Sequence, residues 1–380
     1  MRIELSAQQK KDQAAFRAFV KEEILPHAGS HDQEERIPSD LIRRLGREGY
    51  LGATLPAEYG GRGMDMITFG LLNEELGRGC SSVRALVMLQ NMIGLTLLRW
   101  GSKDQKGLWL DRLASGAVIA SFALTEPDVG SDAASIQTTA RSVGGGYILR
   151  GQKKWISLGQ IADLFLVIGT CGGKPCAFLI EKDRPGLSMA PVFGMLGLRA
   201  SMLAEVRFDD CPVPEENLVG GMGFGLAPVA FFALNLGRYS VAWGCVGIAQ
   251  ACLAACIDHT SKRKQFGVHL KEHQLIKQMI ADMTVKVQAG RLLCLRAGCA
   301  IESGDPNSVM ETMAAKYFAS KTARETATDA VQIHGALGCS REHAVERYLR
   351  DAKVMEIIEG TSQIHQMKIA EYAYQAYGGS

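Results

Sequence analysis

The 380-residue chain has almost no excess of charge of either sign: 42 Lys and Arg against 40 Asp and Glu leave a formal net charge of +2. A nucleic-acid binder carries a basic balance or a basic face, so that class is set aside. No run of 18 apolar residues occurs; the richest stretch, Phe224 to Leu236, is broken by Pro228. The first eleven residues have no apolar core of a secretory signal, so a soluble, cytoplasmic protein is expected. Ten cysteines are present but no Cys-x-x-Cys, so they read as small buried hydrophobes rather than metal ligands or disulfides. Missing too are Gly-x-Gly-x-x-Gly between a strand and a helix, the P-loop, the Gly-x-Ser-x-Gly elbow and His-Glu-x-x-His. Gly221-Met-Gly223-Phe-Gly225 has the wrong spacing for the first of these. Rossmann, P-loop, serine-hydrolase and zinc-peptidase chemistry are thereby disfavoured. The eight histidines are scattered, and His334 and His365, in helical context, read as structural.

What is present is an ordinary globular mixture, 47% hydrophobic and 22% charged, arranged in three regions. Residues 1–115 read as helices. Ser6 and Gln9 have capping-box spacing, followed by Phe16, Phe19, Val20 and Ile24 at helical steps, with Pro26 as the stop. A second helix carries Leu41, Ile42 and Leu45, with Ser39 or Asp40 as its N-cap. Two or three more follow between residues 66 and 115. Residues 116–215 change character: short β-branched and aromatic runs (147–149, 164–168, 177–180, 206–208) are separated by Gly144–Gly146 and Gly172-Gly173. No helix-length run separates them, so an antiparallel barrel or sandwich is expected. Residues 216–380 are helical again, with a broad apolar stripe (Leu275, Ile276, Met279, Ile280, Met283, Val287) on a helix near 271–303 that suits a bundle or subunit contact. The expected class is α+β, with an N-terminal helical domain, a middle β domain and a C-terminal four-helix bundle.

Several local sequences stand out: Phe122-Ala-Leu-Thr-Glu-Pro-Asp-Val-Gly-Ser-Asp132, Lys153-Lys-Trp-Ile-Ser157, Arg263-Lys-Gln-Phe-Gly267 with His273-Gln274, Asp329-Ala-Val-Gln-Ile-His-Gly335, Arg350-Asp-Ala-Lys353 and Ile357-Ile-Glu-Gly-Thr-Ser-Gln363. Singly each is a turn, a strand or a charged helix end. In this order and spacing they resemble the acyl-CoA dehydrogenase family. The resemblance implies FAD as cofactor and a homodimer or homotetramer. It places Thr125 and Ser131 on the flavin ring and pyrophosphate, Trp155 against the isoalloxazine and Ser157 at its reactive edge. Arg263, Phe266 and Gln274 would meet a neighbouring subunit's FAD, with Gln332 and Gly335 covering the same portion and Thr361 and Gln363 near the subunit's own dinucleotide. A cation with hydroxyl and amide donors suits a pyrophosphate where no Gly-rich turn supplies N–H groups.

The resemblance also implies the chemistry: a base removes the proton α to a thioester carbonyl while hydride leaves the β-carbon for the flavin. Glu359 occupies the base position, and its neighbours Ile357 and Ile358 would raise its pKa. Gly360 would let backbone approach the substrate. Some members carry the base instead in the helix just preceding the Arg of a Leu-Asp-x-x-Arg segment; here that segment is Leu234-Asn-Leu-Gly-Arg238, so the position is Gly237 and cannot act. Asn235 replaces the family's acid, which with Arg238 lies near the pantetheine or nucleotide of CoA. The segments from Arg238 to Ile248 and from Arg350 to Glu359 look most like the polyketide-pathway branch that makes hydroxymalonyl- or methoxymalonyl-acyl carrier protein. On that likeness the expected substrate is a short hydroxyacyl thioester on an acyl carrier protein, with Glu359 deprotonating carbon or oxygen. Arg341, Arg347 and Arg350 are candidates to face an acidic carrier. The rival readings are a catabolic short-chain acyl-CoA dehydrogenase, reoxidised by an electron-transfer flavoprotein or oxygen, and a flavin-free scaffold.

Overall fold

A computed structural model describes residues 4–378; residues 1–3 of the N-terminal stretch read above lie outside the described residues. The N-terminal region is helical: α1 (Ala7–Phe19), α2 (Ala28–Glu34), α3 (Ser39–Arg47), α4 (Met66–Gly79), α5 (Ser81–Trp100) and α6 (Lys103–Ser115). The Ser6–Gln9 capping box forms in both directions. The chain does not simply stop at Pro26: α1 loosens into a wide turn over Val20–Ile24 and a tight one over Leu25–His27, so the proline redirects the path into α2. Helix α3 starts one residue earlier than the side-chain caps predict. Pro38 occupies the N-cap and Ser39 is already helical, so neither Ser39 nor Asp40 caps it.

Strands β1 (Ala120–Ala123), β2 (Thr139–Val143), β3 (Gly146–Ile156), β4 (Leu164–Cys171), β5 (Lys174–Glu181), β6 (Leu187–Pro191), β7 (Ala204–Pro214) and β8 (Leu218–Val219) build one sheet in the order β6-β7-β3-β2-β4-β5-β8, with β1 beside β4. The glycine pairs turn β2 into β3 and β4 into β5, as expected. Two pairings depart from the antiparallel expectation: β1 and β2 both run parallel to β4. A parallel pair needs a crossover, and a helix is only the usual one. Here the β2–β3 hairpin itself carries the chain back. Strand β4 alternates between two cores: Leu164, Leu166 and Ile168 pack toward α5 and α6, while Phe165 and Val167 face the interior of the β domain.

The C-terminal region comprises α7 (Phe231–Lys262), the small hairpin β9 (Lys264–Gln265) and β10 (Val268–His269), α8 (Gln274–Glu302), α9 (Ser308–His334), α10 (Val345–Met355) and α11 (Ser362–Tyr377). Its core is continuous with that of α1–α5: Phe69, Leu72 and Val87 share one cluster with Tyr239, Trp243, Cys294 and Ala323. Two helical stretches, Ser81–Trp100 and Gly225–Lys262, are long and apolar enough to cross a membrane, which the sequence reading did not anticipate. Of their most apolar windows 89% and 72% are buried inside the fold, so they are its central helices. Eight of the ten cysteines are buried, and the described residues contain no group of His, Cys, Asp and Glu arranged to hold a metal.

Candidate functional site

The first element of the site is the loop after β1. Lys154 donates its backbone N–H to Thr125 O at 2.9 Å, which joins the first and second motifs. Beneath them lies a buried ion pair that the sequence reading did not single out. Lys153 Nζ meets Glu126 Oε1 at 2.7 Å and donates to Leu124 O at 2.9 Å. Glu126 also accepts from the Gln137 and Thr138 backbone N–H groups and the Thr138 hydroxyl. Burial works against the Glu126 charge, yet Lys153, Thr138 and Gln137 together hold its carboxyl below the usual range. Burial outweighs Glu126 at the other end and pulls Lys153 down to about 8. This pair staples the Thr125 loop to β3. Lys153→Met leaves Glu126 buried without its cation, which costs about 3–5 kcal/mol. Thermal unfolding of the purified variant checks that cost, and weaker FAD retention should accompany it.

Trp155 sits two residues further along β3 and is 45% exposed although Lys153 is fully buried. Alternation would put both on one face. The strand is irregular between Lys153 and Ile156, and Trp155 adopts φ 62°, so a bulge turns the indole outward. The Lys154 ammonium lies 4.9 Å from its ring centroid. Ser157 follows, its carbonyl accepting from the Ser121 hydroxyl at 2.9 Å. Ser131 is exposed on the loop after Thr125. The pattern is a polar, hydroxyl-rich rim beside an outward aromatic ring, a donor set suited to a flavin and its phosphates.

Glu359 lies in the turn between α10 and α11, with φ 55° followed by Gly360 at φ 96°. A left-handed glutamate is strained and persists only when its surroundings hold it. Two buried cations do so. Arg238 Nε donates to Glu359 O at 3.0 Å, and Lys316 Nζ donates to Gly360 O at 2.7 Å. Thr361 then caps α11, its hydroxyl accepting from Ile364 N. The carboxylate rests against α7 at Gly237: a Cβ there would lie 2.4 Å from Glu359 Oε2 and 2.6 Å from Cδ. Gly237, the alternative base position that the resemblance implied, and the end of this carboxylate are therefore one place in space. Oε2 is enclosed and has no hydrogen-bond partner among the described residues. Burial raises the Glu359 pKa, opposed by Arg238, Arg84 and Lys316. The reason differs from the expected one, because Ile357 is 53% exposed. Packing on α7, a tertiary contact, encloses the carboxyl.

Other expectations are corrected. Arg238 is buried and its Nε donates to the Glu359 carbonyl, so it braces the turn that carries the candidate base. Asn235 is part-buried with an enclosed, unpartnered Oδ1 among the described residues. Arg347 is buried and donates to Gly79 O, while Arg350 pairs with Asp32 and Glu346; neither is available to a carrier protein. His334, by contrast, fits its reading as structural: it is buried with Nδ1 bonded to Ala330 O, and its ring stacks on His259 at 4.4 Å.

The remaining residues assemble elsewhere. Arg263 ends α7, Gln274 begins α8, and Gln332 and Gly335 end α9; all four are exposed. Phe266 and Gly267 form the two-residue turn of the β9–β10 hairpin with φ 53° and 82°, and Phe266 is 94% exposed. Glycine or asparagine is the easy residue at such a turn, so this phenylalanine is presented outward at a local cost. From Gly237 to Arg263 is 26 residues of helix, about 39 Å. Phe266→Asn should relieve the turn and, if the aromatic serves a neighbouring subunit, weaken FAD retention; chain stability and bound flavin per subunit are the two readouts.

Comparison with known proteins bears on the chain as a whole. The family profiles described as acyl-CoA dehydrogenase N-terminal, middle and C-terminal domains match residues 6–117, 121–211 and 222–374. YngJ of Bacillus subtilis, described as a probable acyl-CoA dehydrogenase, is 38% identical over 97% of this chain and 99% of its own. The mitochondrial short-chain specific acyl-CoA dehydrogenase of Rattus norvegicus is 34% identical over 99% of this chain and 92% of its own. Among solved structures, a glutaryl-coenzyme A dehydrogenase in complex with glutaryl-CoA superposes with a TM-score of 0.95 at 35% identity, covering 99% of this chain and 97% of its own. FkbI, for biosynthesis of a methoxymalonyl extender unit, gives 0.88 at 33% identity (96% and 99% covered), and the prolyl acyl carrier protein oxidase AnaB 0.93 at 29% (97% and 99%). The chain belongs to the acyl-CoA dehydrogenase family, FAD-dependent oxidoreductases of acyl thioesters.

Proposed function

We propose that this enzyme dehydrogenates a short acyl thioester, with Glu359 as the base that takes the α-proton. The observation that carries the reading is the Glu359 carboxyl itself, held over Gly237 with one oxygen unpartnered among the described residues. Burial makes it a better proton acceptor than an ordinary carboxylate. FAD, when bound, supplies the acceptor for hydride. Thr125, Ser131, Trp155 and Ser157 are the residues suited to hold its flavin end, with Thr361 and Gln363 along the dinucleotide. Arg263, Phe266, Gln274, Gln332 and Gly335 suit a second subunit's FAD. The exposed apolar face of α8 (Leu275, Val285 and Leu292) supports a homo-oligomer that would bring them there. Arg238, Arg84 and Lys316, the positive groups around Glu359, favour negative charge developing on an enolate oxygen near them.

A second reading, in which the acyl group is a hydroxyacyl unit on an acyl carrier protein, is supported by Asn235 in place of the family's acid and by the likeness to FkbI and AnaB. Anaerobic mixing of the FAD-loaded enzyme with butyryl-CoA and, separately, with a glycerate-derived thioester on a carrier protein decides between them. Bleaching of the flavin band by butyryl-CoA alone supports the CoA arm. Bleaching by the carrier thioester alone supports the second reading, and bleaching by neither overturns both. Reoxidation by an electron-transfer flavoprotein or by oxygen follows from the same sample.

A further inference from the structure

Three histidines that the proposed reaction does not use lie against one another where α7, α9 and the lead into α10 meet. The ring centroids of His259 and His334 are 4.4 Å apart with 26° between the planes. Those of His334 and His343 are 4.4 Å apart with 37° between them. Rings laid nearly face to face do not aim their nitrogens at one point, in keeping with the absence of a metal-holding group among the described residues. Hydrogen bonds fix where the protons sit. Ala330 O can only accept, so His334 Nδ1 carries the hydrogen, and its enclosed Nε2 is bare and without a partner among the described residues. The Val345 N–H, the first of α10, approaches His343 Nδ1 at 3.4 Å, which leaves that nitrogen bare as well. The stack is built for neutral rings. A proton added to His334 would be buried with nothing to accept it, and one added to His343 would confront the Val345 N–H.

The charges around the stack do not offset this. Burial and the neighbouring histidines push His259 and His343 below the ordinary histidine range; Arg263 adds to the effect at His259, and Asp258 opposes it at both. Asp258 is exposed and shared with Lys262 at 2.6 Å. On α9, Asp329 is turned to Lys286 of α8. Arg341, Glu346 and Arg347 line one cavity with His343, two cations to one acid. We propose that the three histidines form a pH-sensitive latch, which joins the ends of α7 and α9 while its rings are neutral and parts when more than one of them is protonated. Two like charges 4.4 Å apart at a partly exposed site repel by enough to shift an equilibrium more than about tenfold. The sign follows from linkage. In an opened chain these rings titrate near pH ~6.5 and in the closed stack His259 and His343 do so lower, so closure is favoured above that range and lost as pH falls through it. His259 lies one helical turn before Arg263, and His334 lies between Gln332 and Gly335. The latch therefore holds together residues that, on the reading above on which this consequence rests, meet a second subunit's FAD.

The test follows amide hydrogen exchange in the FAD-loaded enzyme at about pH 7.5 and about pH 5.5, each segment's protection being taken relative to its intrinsic rate at that pH. Flavin passing a spin filter is measured on the same samples. Residues 255–263 and 330–345 should lose protection by about 10–100-fold at the lower pH, while the β4–β5 hairpin should not. His259→Phe combined with His343→Phe keeps stacked rings but leaves only His334 to titrate, and should remove most of that loss. His259→Gln with His343→Gln serves the same comparison if the phenylalanine pair does not fold. Protection unchanged between the two pH values in the parent, or an undiminished loss in a folded double variant, overturns the latch. Lost protection with flavin released supports both the latch and the placement of FAD. Lost protection with flavin retained supports the latch and overturns the placement of Arg263, Gln332 and Gly335 against FAD.

Discussion

Glu359→Gln should leave FAD bound and slow substrate-dependent flavin reduction by about 10⁴-fold, the upper range for removing a positioned base. Anaerobic stopped-flow on the colour of the flavin measures it, and near-normal bleaching would place the base elsewhere. The pH dependence of the parent enzyme carries a sign. Only ionised Glu359 accepts a proton, and burial raises its pKa above the ordinary carboxylate range. The reduction rate should therefore climb with pH through a midpoint above that of a free carboxylate. Stability runs the other way. A carboxyl whose folded pKa is raised binds its proton more tightly in the folded state, so its contribution is greatest below the unfolded pKa and is lost as pH rises through the folded one. Glu359→Gln should accordingly be more stable than the parent at neutral pH and lose that advantage in acid, as measured by urea unfolding at the two pH values.

Gly237→Ala is the second large effect, and it acts without touching the base chemically. Its Cβ would sit 2.4 Å from Glu359 Oε2, far inside contact distance, so the carboxyl must swing away. Displacing a catalytic group by about 1 Å is enough to cost about 10²-fold in rate. Alanine is the better helix former by about 1 kcal/mol, so the variant should unfold no earlier than the parent. That separates a misplaced base from a damaged helix. In the Glu359→Gln background the same substitution should add almost nothing, because the two changes act on one group. A further loss of comparable size in that background would mean that Gly237 serves the substrate directly.

The fold was largely legible because its signals are local. Ser6 and Gln9 announce a capping box, the glycine pairs announce the hairpins of β2–β3 and β4–β5, and helical spacing marks α8. Periodicity says nothing about which strand a strand pairs with, so the parallel β1–β4 ladder was invisible. The motifs likewise named Glu359 and the Thr125 loop without showing what holds them. Lys153, Lys316 and Arg84 are buried cations on three different elements, and in the sequence each is one more lysine or arginine among 42.

By itself, then, the sequence determined the three-region architecture, the family and the identity of the candidate base, since each depends on residue types at fixed local spacing. The tertiary structure alone decided where that base points, what strains and braces it, and which arginines are spent internally. Those outcomes turn on close approach between residues more than a hundred positions apart: Glu359 on Gly237, Arg238 on the Glu359 carbonyl, Arg84 on Ser240. Burial and pairing belong to such contacts, and no stretch of chain carries them alone.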